Sequence, residues 1–318
     1  MEKDKQWVKF FEDNVRYSDV INGIGCNGEQ VIRPDDLTEL DTKMNGKYRD
    51  MLRKAAFGVG FAIIGIENQE TVDYSMPIRI MEYDIASYRK QKARIVRRNR
   101  RKIKQKKINS SQLERGEFLY GFLKTDRVYP TVTFVLYAGK ERWTGPKRLH
   151  DVIDFQGVPT PIQRLVEDYQ IHIVDIRRIK DTSVFKTDVK QVFDFLKCTE
   201  DKQALLDLVE KESYYKSMEI EAYEVVKSYA NISNVIQVEK YRGKEGIDVC
   251  KAIQDLMADS KEKGILEGKE AGIKEGLQKG QADIISNMLK QDLPIDKICL
   301  FTGCSKAFVK EVKEGTVA

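Results

Sequence analysis

TVTFVLYA, residues 131–138, is an unbroken run of β-branched, aromatic and aliphatic side chains between Pro130 and Gly139. Such a run fits a pleated surface and reads as a buried strand. A buried strand needs other layers to cover it, and helical patterns supply them. Residues 4–16 place Trp7, Phe10, Phe11 and Val15 at helical spacing, and a loop-rich passage with Gly23, Gly25, Gly28 and Pro34 follows. A strand pair is predicted next, one arm at Tyr48–Ala56 and the other at Phe61–Glu70 (FAIIGIENQE), with a turn around Gly58 and Gly60. After Pro77 a long helix carries Ile78, Met81, Ile85 and Tyr88 along one face. YQIHIVDIRRI, residues 169–179, reads as another strand. Together these predict an α/β domain over 1–180.

From about residue 185 the pattern turns helical, through VKQVFDFLK, KQALLDLVEK and a stretch from Ile247 to Ser260. Residues 181–260 form a helical region on this reading, and 261–318 a separate tail. Glycines at 264, 268, 272, 276 and 280 recur every fourth residue. Each costs a helix about 1 kcal/mol against alanine, so the repeat suits either a self-associating helix with close backbone approach or a flexible linker. Two short amphipathic helices end the chain, with Ile295, Ile298, Phe308 and Val309 inward and a Thr302-Gly303-Cys304 turn between them. That outline fits a helix-turn-helix or a plain hairpin closing an oligomer. The second helix lacks an arginine for guanine readout.

Several chemistries are disfavoured. The five cysteines (Cys26, Cys198, Cys250, Cys299, Cys304) are scattered and never spaced as CxxC, which argues against zinc and a disulfide framework. Only His150 and His172 are present, so hydrolytic chemistry has to rest on carboxylates. His150, like Trp143, reads as a packing residue. No apolar run is long enough to span a bilayer, and the start MEKDKQWVKF lacks a signal-peptide core, so a cytoplasmic protein is expected. The net charge is only +5, yet twelve of the nineteen residues from Arg89 to Lys107 are Lys or Arg and none is acidic. Such a run suits a polyphosphate partner, or else a solvated helix face or charged loop.

In the strand pair, alternation puts Glu67 and Gln69 on one face and Asn68 on the other. Asp50, near the start of the partner arm, can reach the same side as Glu67. Two converging carboxylates would hold Mg²⁺, which keeps several waters and accepts substrate phosphate oxygens. Spacing alone equally admits one surface aspartate and one surface glutamate.

The stretches INGIGCNGEQVIRPDDLTELDTKMNGKYRD (21–50), GIENQETVDYSMPIRIMEYDIASYRKQ (65–91) and YPTVTFVLYAGKERWTGPKRLHDVIDF (129–155), with the glycine-periodic tail, resemble the recombination-promoting nuclease (Rpn) family. These are also described as PD-(D/E)XK nuclease family transposases, YhgA-like. The resemblance covers most of the chain in order. It implies a restriction-endonuclease-like core, a mixed sheet flanked by helices, and divalent-metal-dependent DNA cleavage linked to recombination, mobile elements or phage defence. On this sequence it assigns Asp50, Glu67 and Gln69 to catalysis and Asp50 and Glu67 to Mg²⁺, with Mn²⁺ able to substitute. Asp19 or Asp41 would complete the acidic set. Asp50 follows Arg49 where the wider superfamily has proline. Gln69 replaces the lysine of many relatives, and a neutral amide can hydrogen-bond but carries no charge.

Arg79 and Tyr83 lie four apart and could face a phosphate backbone together, or Tyr83, like Tyr88, could pack the helix on the sheet. With Arg94, Arg97, Arg98, Arg100 and Arg101 they form the expected nucleic-acid contact set. The expected activity is a Mg²⁺-dependent endonuclease with little sequence specificity, acting on DNA and self-associating through its C-terminal region. The competing reading is a DNA-binding or self-assembling regulatory protein whose nuclease core is vestigial. Phosphate-directed cations fit RNA as well.

Overall fold

The computed structural model describes residues 2–41, 43–44, 47–48, 50–57, 60–229, 238–243 and 246–315. The chain divides into two units, Met1–Cys250 and Lys251–Ala318.

The first unit opens with α1 (Glu2–Phe10) and α2 (Asn14–Gly25), followed by β1 (Leu37–Glu39), β2 (Lys43–Met44), β3 (Lys47–Tyr48), β4 (Met51–Phe57) and β5 (Gly60–Gln69). Next come the 29-residue α3 (Met76–Lys104), α4 (Arg115–Tyr120), β6 (Thr131–Tyr137), α5 (Thr160–Gln163) and β7 (His172–Asp175). Helices α6 (Val189–Cys198), α7 (Lys202–Lys211), α8 (Ile220–Tyr229) and α9 (Val238–Tyr241) follow. The main sheet runs β1-β4-β5-β6-β7, antiparallel from β1 to β5 and parallel from β5 to β7. It is therefore a mixed sheet, and β2 and β3 form a separate antiparallel pair.

Register sorts the residues between two faces. On one face α3 packs Met76, Ile80 and Tyr83 against Val135 and Tyr137 of β6. Trp143 joins this cluster, edge-on to Tyr137 with centroids 5.1 Å apart, and its indole N–H donates to the Gly145 carbonyl at 2.9 Å. On the other face lie α1 and α2. Tyr17 donates to the Ile64 carbonyl at 2.9 Å, and Trp7 meets Phe11, Phe193 and Tyr229 with centroids 5.4, 6.1 and 6.3 Å away. Helix α6 buries Val189, Val192, Phe193, Phe195 and Leu196, and helices α6 to α9 belong to the same unit as the sheet.

Four sequence expectations need correction. The helix expected over 4–16 is broken: Asp13 is extended and caps α2, its carboxylate accepting from the Val15 N–H at 2.8 Å. Trp7, Phe10 and Phe11 are buried, but Val15 is exposed. Gly23 and Gly25, expected in a loop, sit in α2, where a Cβ on Gly23 would come within 2.2 Å of the Phe185 ring. The buried face of α3 is Ile80, Tyr83, Asp84 and Ser87, with Ile78 and Ile85 exposed. The strand expected over 169–179 is shorter, because the chain turns into a 3-10 helix at Ile176–Arg178. Residue 58 of the expected Gly58/Gly60 turn lies outside the described residues.

The second unit contains most of α10 (Val249–Lys290, 42 residues), then α11 (Ile295–Thr302) and α12 (Lys306–Lys313). The glycine repeat is helical throughout, and a Cβ added at any of its five glycines would meet nothing within 4 Å. Ile285, Ile298 and Val309 are fully buried, with Ile295 and Phe308 packed beside them. Gly303 ends α11 at φ 70°, the left-handed conformation that glycine adopts without strain. Among the described residues no helix is long and apolar enough to cross a membrane.

Candidate active site on the sheet face beneath helix α3

The site begins with strand register. Met51 pairs with Ile66, so Asp50, one residue before β4, lies beside Glu67 on β5. Asp50 Oδ2 accepts the Asn68 N–H at 2.7 Å, and the Asp50 N–H approaches Glu67 Oε2 at 3.4 Å. Val135, opposite Glu67 on β6, packs against α3, which puts Glu67 and Gln69 on the α3 face. The sequence-predicted trio is thus brought together.

Glu67 is fully buried, which a carboxylate tolerates only with strong partners. Arg79, in the first turn of α3, donates through Nη2 to Glu67 Oε1. The Tyr83 hydroxyl, one turn further along, lies 3.5 Å from the same oxygen and accepts from Arg79 Nε at 3.2 Å. Arg79 Nη1 is also 3.5 Å from Gln69 Oε1 and from Asp73 Oδ2. Gln69 donates through Nε2 to the Thr71 carbonyl at 2.8 Å. Of the two readings of Tyr83 the packing one holds: it is buried against the sheet and turned toward Glu67.

The electrostatics follow from this packing. Burial raises the Asp50 carboxyl above its ordinary range, only partly offset by the Asn68 N–H, and the charge of Asp4 raises it further. Burial likewise pushes the Tyr83 phenol up, with Glu67 adding to the effect. For Arg79 burial acts downward but is outweighed by Glu67 and Tyr83, so the guanidinium is held protonated more firmly than usual.

Asp19 and Asp41 do not join the site. Asp19 is buried and accepts from the Lys186 N–H and from the Thr187 N–H and hydroxyl at 2.7–2.9 Å, which ties α2 to the chain before α6. Asp41 is exposed and pairs with Lys90 at 3.1 Å. Asp4 on α1 acts on Asp50 instead, and no spacing in the sequence marks it. Among the described residues no three His, Cys, Asp or Glu side chains cluster as metal ligands. Two carboxylates still match what Mg²⁺ takes from a protein when water and phosphate complete its shell. Asp50 and Glu67 are the two carboxylates brought together here, and Arg79 is the cation already paired with Glu67.

The basic run lies on α3, and Arg94, Arg97, Arg98, Arg100 and Arg101 are all exposed. Arg98 pairs with Asp126 at 2.8 Å, and Arg97 Nε donates back to the Ala93 carbonyl at 3.3 Å. His150 has a ring nitrogen 2.9 Å from the Val166 carbonyl and stands edge-on to Phe155, a packing role like that of Trp143. No family model matches the sequence, and no curated protein or solved structure matches it either.

Proposed function

We propose that the first unit is a metal-dependent DNA endonuclease of the Rpn, restriction-endonuclease-like type, cleaving phosphodiester bonds with little sequence specificity. One observation carries the reading: Asp50 and Glu67, separated by 17 positions, meet on one sheet face under the same helix that bears the basic run. Asp50 and Glu67 would hold Mg²⁺ or Mn²⁺, which when bound supplies a water of lowered pKa and polarises the phosphate. Gln69 offers an amide to orient water or a phosphate oxygen. Arg79 pairs with the buried Glu67 and presents a guanidinium, 36% exposed, toward an incoming phosphate. The arginines of α3 hold the backbone and carry no sequence information.

The test is nicking of supercoiled plasmid with Mg²⁺, Ca²⁺ or EDTA, beside Asp50→Ala and Glu67→Ala. Magnesium-dependent nicking lost in both variants supports the reading. Absence of cleavage by folded protein on DNA and RNA defeats it.

A second reading, self-assembly as the main output, is favoured by α10. Ile265, Leu266, Ile273, Leu277 and Ile284 are each at least half exposed there. Exposed apolar side chains in such number on a single helix suit association with a further copy of the chain.

A further inference from the structure

On the α3 face of the sheet a pocket of about 190 Å³ opens between α3, strands β4 and β5, and the chain segments after β1 and before β6. Lys54 comes from β4, Gln91, Arg94 and Arg98 from α3, and Arg127 and Tyr129 from the chain entering β6. Its lining holds four cations and no carboxylate, over a floor of three aliphatic side chains. The neighbouring Asp126 braces two of the cations. Its carboxylate accepts from Arg98 at 2.8 Å, and its carbonyl accepts from Arg127 at 2.8 Å.

Tyr129 is fixed through its backbone. Gln91 Nε2 donates to the Tyr129 carbonyl at 3.2 Å, and the Tyr129 N–H donates to Gln91 Oε1 at 2.7 Å. The side chain remains 39% exposed, with Lys54 Nζ 5.2 Å from the ring centroid. An aromatic ring beside a lysine, in a pocket that three arginines also line, is the chemistry that binds single strands: a base stacks on the ring while cations take the flanking phosphates. A base inside a closed duplex is paired and stacked on its neighbours, so it would first have to leave the stack. The pocket also lies along the proposed active site. Ile63 in its floor is four residues before Glu67 on the same face of β5, about 13 Å at the rise of a strand.

We propose that this pocket takes one base of a single-stranded DNA segment on Tyr129, with phosphates on Lys54, Arg94 and Arg127, and so makes the protein prefer unpaired DNA to duplex. The inference rests on the nuclease reading for its role but is tested by binding alone. Full-length protein in EDTA is titrated against a short fluorescein-labelled oligothymidylate and against a duplex of equal length, and anisotropy is recorded. Wild type is compared with Tyr129→Leu and Tyr129→Phe. The expected result is tighter binding of the single strand, a loss on the order of tenfold in Tyr129→Leu, and near wild-type binding in Tyr129→Phe. Circular dichroism checks that the variants fold. Equal binding by Tyr129→Leu, or tighter binding of the duplex, overturns the proposal. The two readings separate cleanly. Tyr129-dependent binding without nicking leaves the pocket standing and removes the nuclease, whereas nicking with Tyr129-independent binding does the reverse.

Discussion

Removing the Arg79 guanidinium should expose how much the buried Arg79–Glu67 pair contributes to stability. Glu67 is fully buried, and its contacts with the Tyr83 hydroxyl and the Asp50 N–H, at 3.5 and 3.4 Å, are long. Breaking a buried ion pair by deleting one partner costs about 3–5 kcal/mol. The Arg79 side chain is 36% exposed, so solvent screens part of the interaction, and about 2–3 kcal/mol is the expected cost of Arg79→Ala. Glu67→Gln keeps the shape and leaves Arg79 able to turn to water, for a cost of about 1 kcal/mol. In the Glu67→Gln background Arg79→Ala then removes little. The double-mutant cycle should show a coupling of about 2 kcal/mol. Urea unfolding of the four proteins, followed by tryptophan fluorescence, measures it. Both tryptophans lie in the first unit, so the signal reports on the unit that contains the site. If Arg79→Ala costs the same in both backgrounds, within about 0.5 kcal/mol, the pair does not hold Glu67 and the electrostatic argument fails.

Three further outcomes follow. Because Asp50 is raised above its ordinary range, its ionised form weighs against folding: stability is highest below the unfolded pKa and falls as pH rises through the folded one. Asp50→Asn should therefore raise the urea midpoint at pH 7, with the gain shrinking toward about pH 3; a lower midpoint at pH 7 would contradict this. Gly23→Ala should cost about 1–3 kcal/mol, since its Cβ would come within 2.2 Å of the Phe185 ring, and an unchanged thermal midpoint would refute that packing. Gly272→Ala with Gly276→Ala should raise the helicity of α10, by about 1 kcal/mol per site, without clashes in the single chain. If these glycines serve close helix association, light scattering should show the mass of the variant falling toward one chain; an unchanged oligomer would leave them without that role.

The legible parts of the fold were those where burial and hydropathy coincide. β5 and β6 fall where β-branched residues cluster or run together, β4 follows as the partner arm of β5, and the register of that pair brings Asp50 to Glu67. The face of α3 was misread because its buried side includes polar residues in cross-layer pairs. Asp84 accepts from Thr133 Oγ1 at 2.7 Å and from Tyr169, and Ser87 lies 3.2 Å from Thr131 Oγ1. No count of apolar residues detects a buried aspartate whose partner is 49 positions away. Asp19 misled in the same manner: its acidic character suggested a metal ligand, but its partners are donors at Lys186 and Thr187. The break between α1 and α2 did carry a sequence signal, since Asp13 stands where a cap is preferred. The glycines beyond it obscured that signal, because aromatic neighbours distant in the chain decide their place in a helix.

The contact between Trp7 and Tyr229, joined by a 3.0 Å hydrogen bond, has a bearing on how the chain is made. Its partners are 222 positions apart, and Asp19 waits for donors 167 positions later. At roughly 5–20 residues per second, the first helices leave the ribosome on the order of 10–45 s before the segment that covers their aromatic side chains. Over that interval Trp7, Phe10 and Phe11 form an adhesive apolar surface. Until the later segment arrives, that surface has nothing from the second half of the unit to cover it.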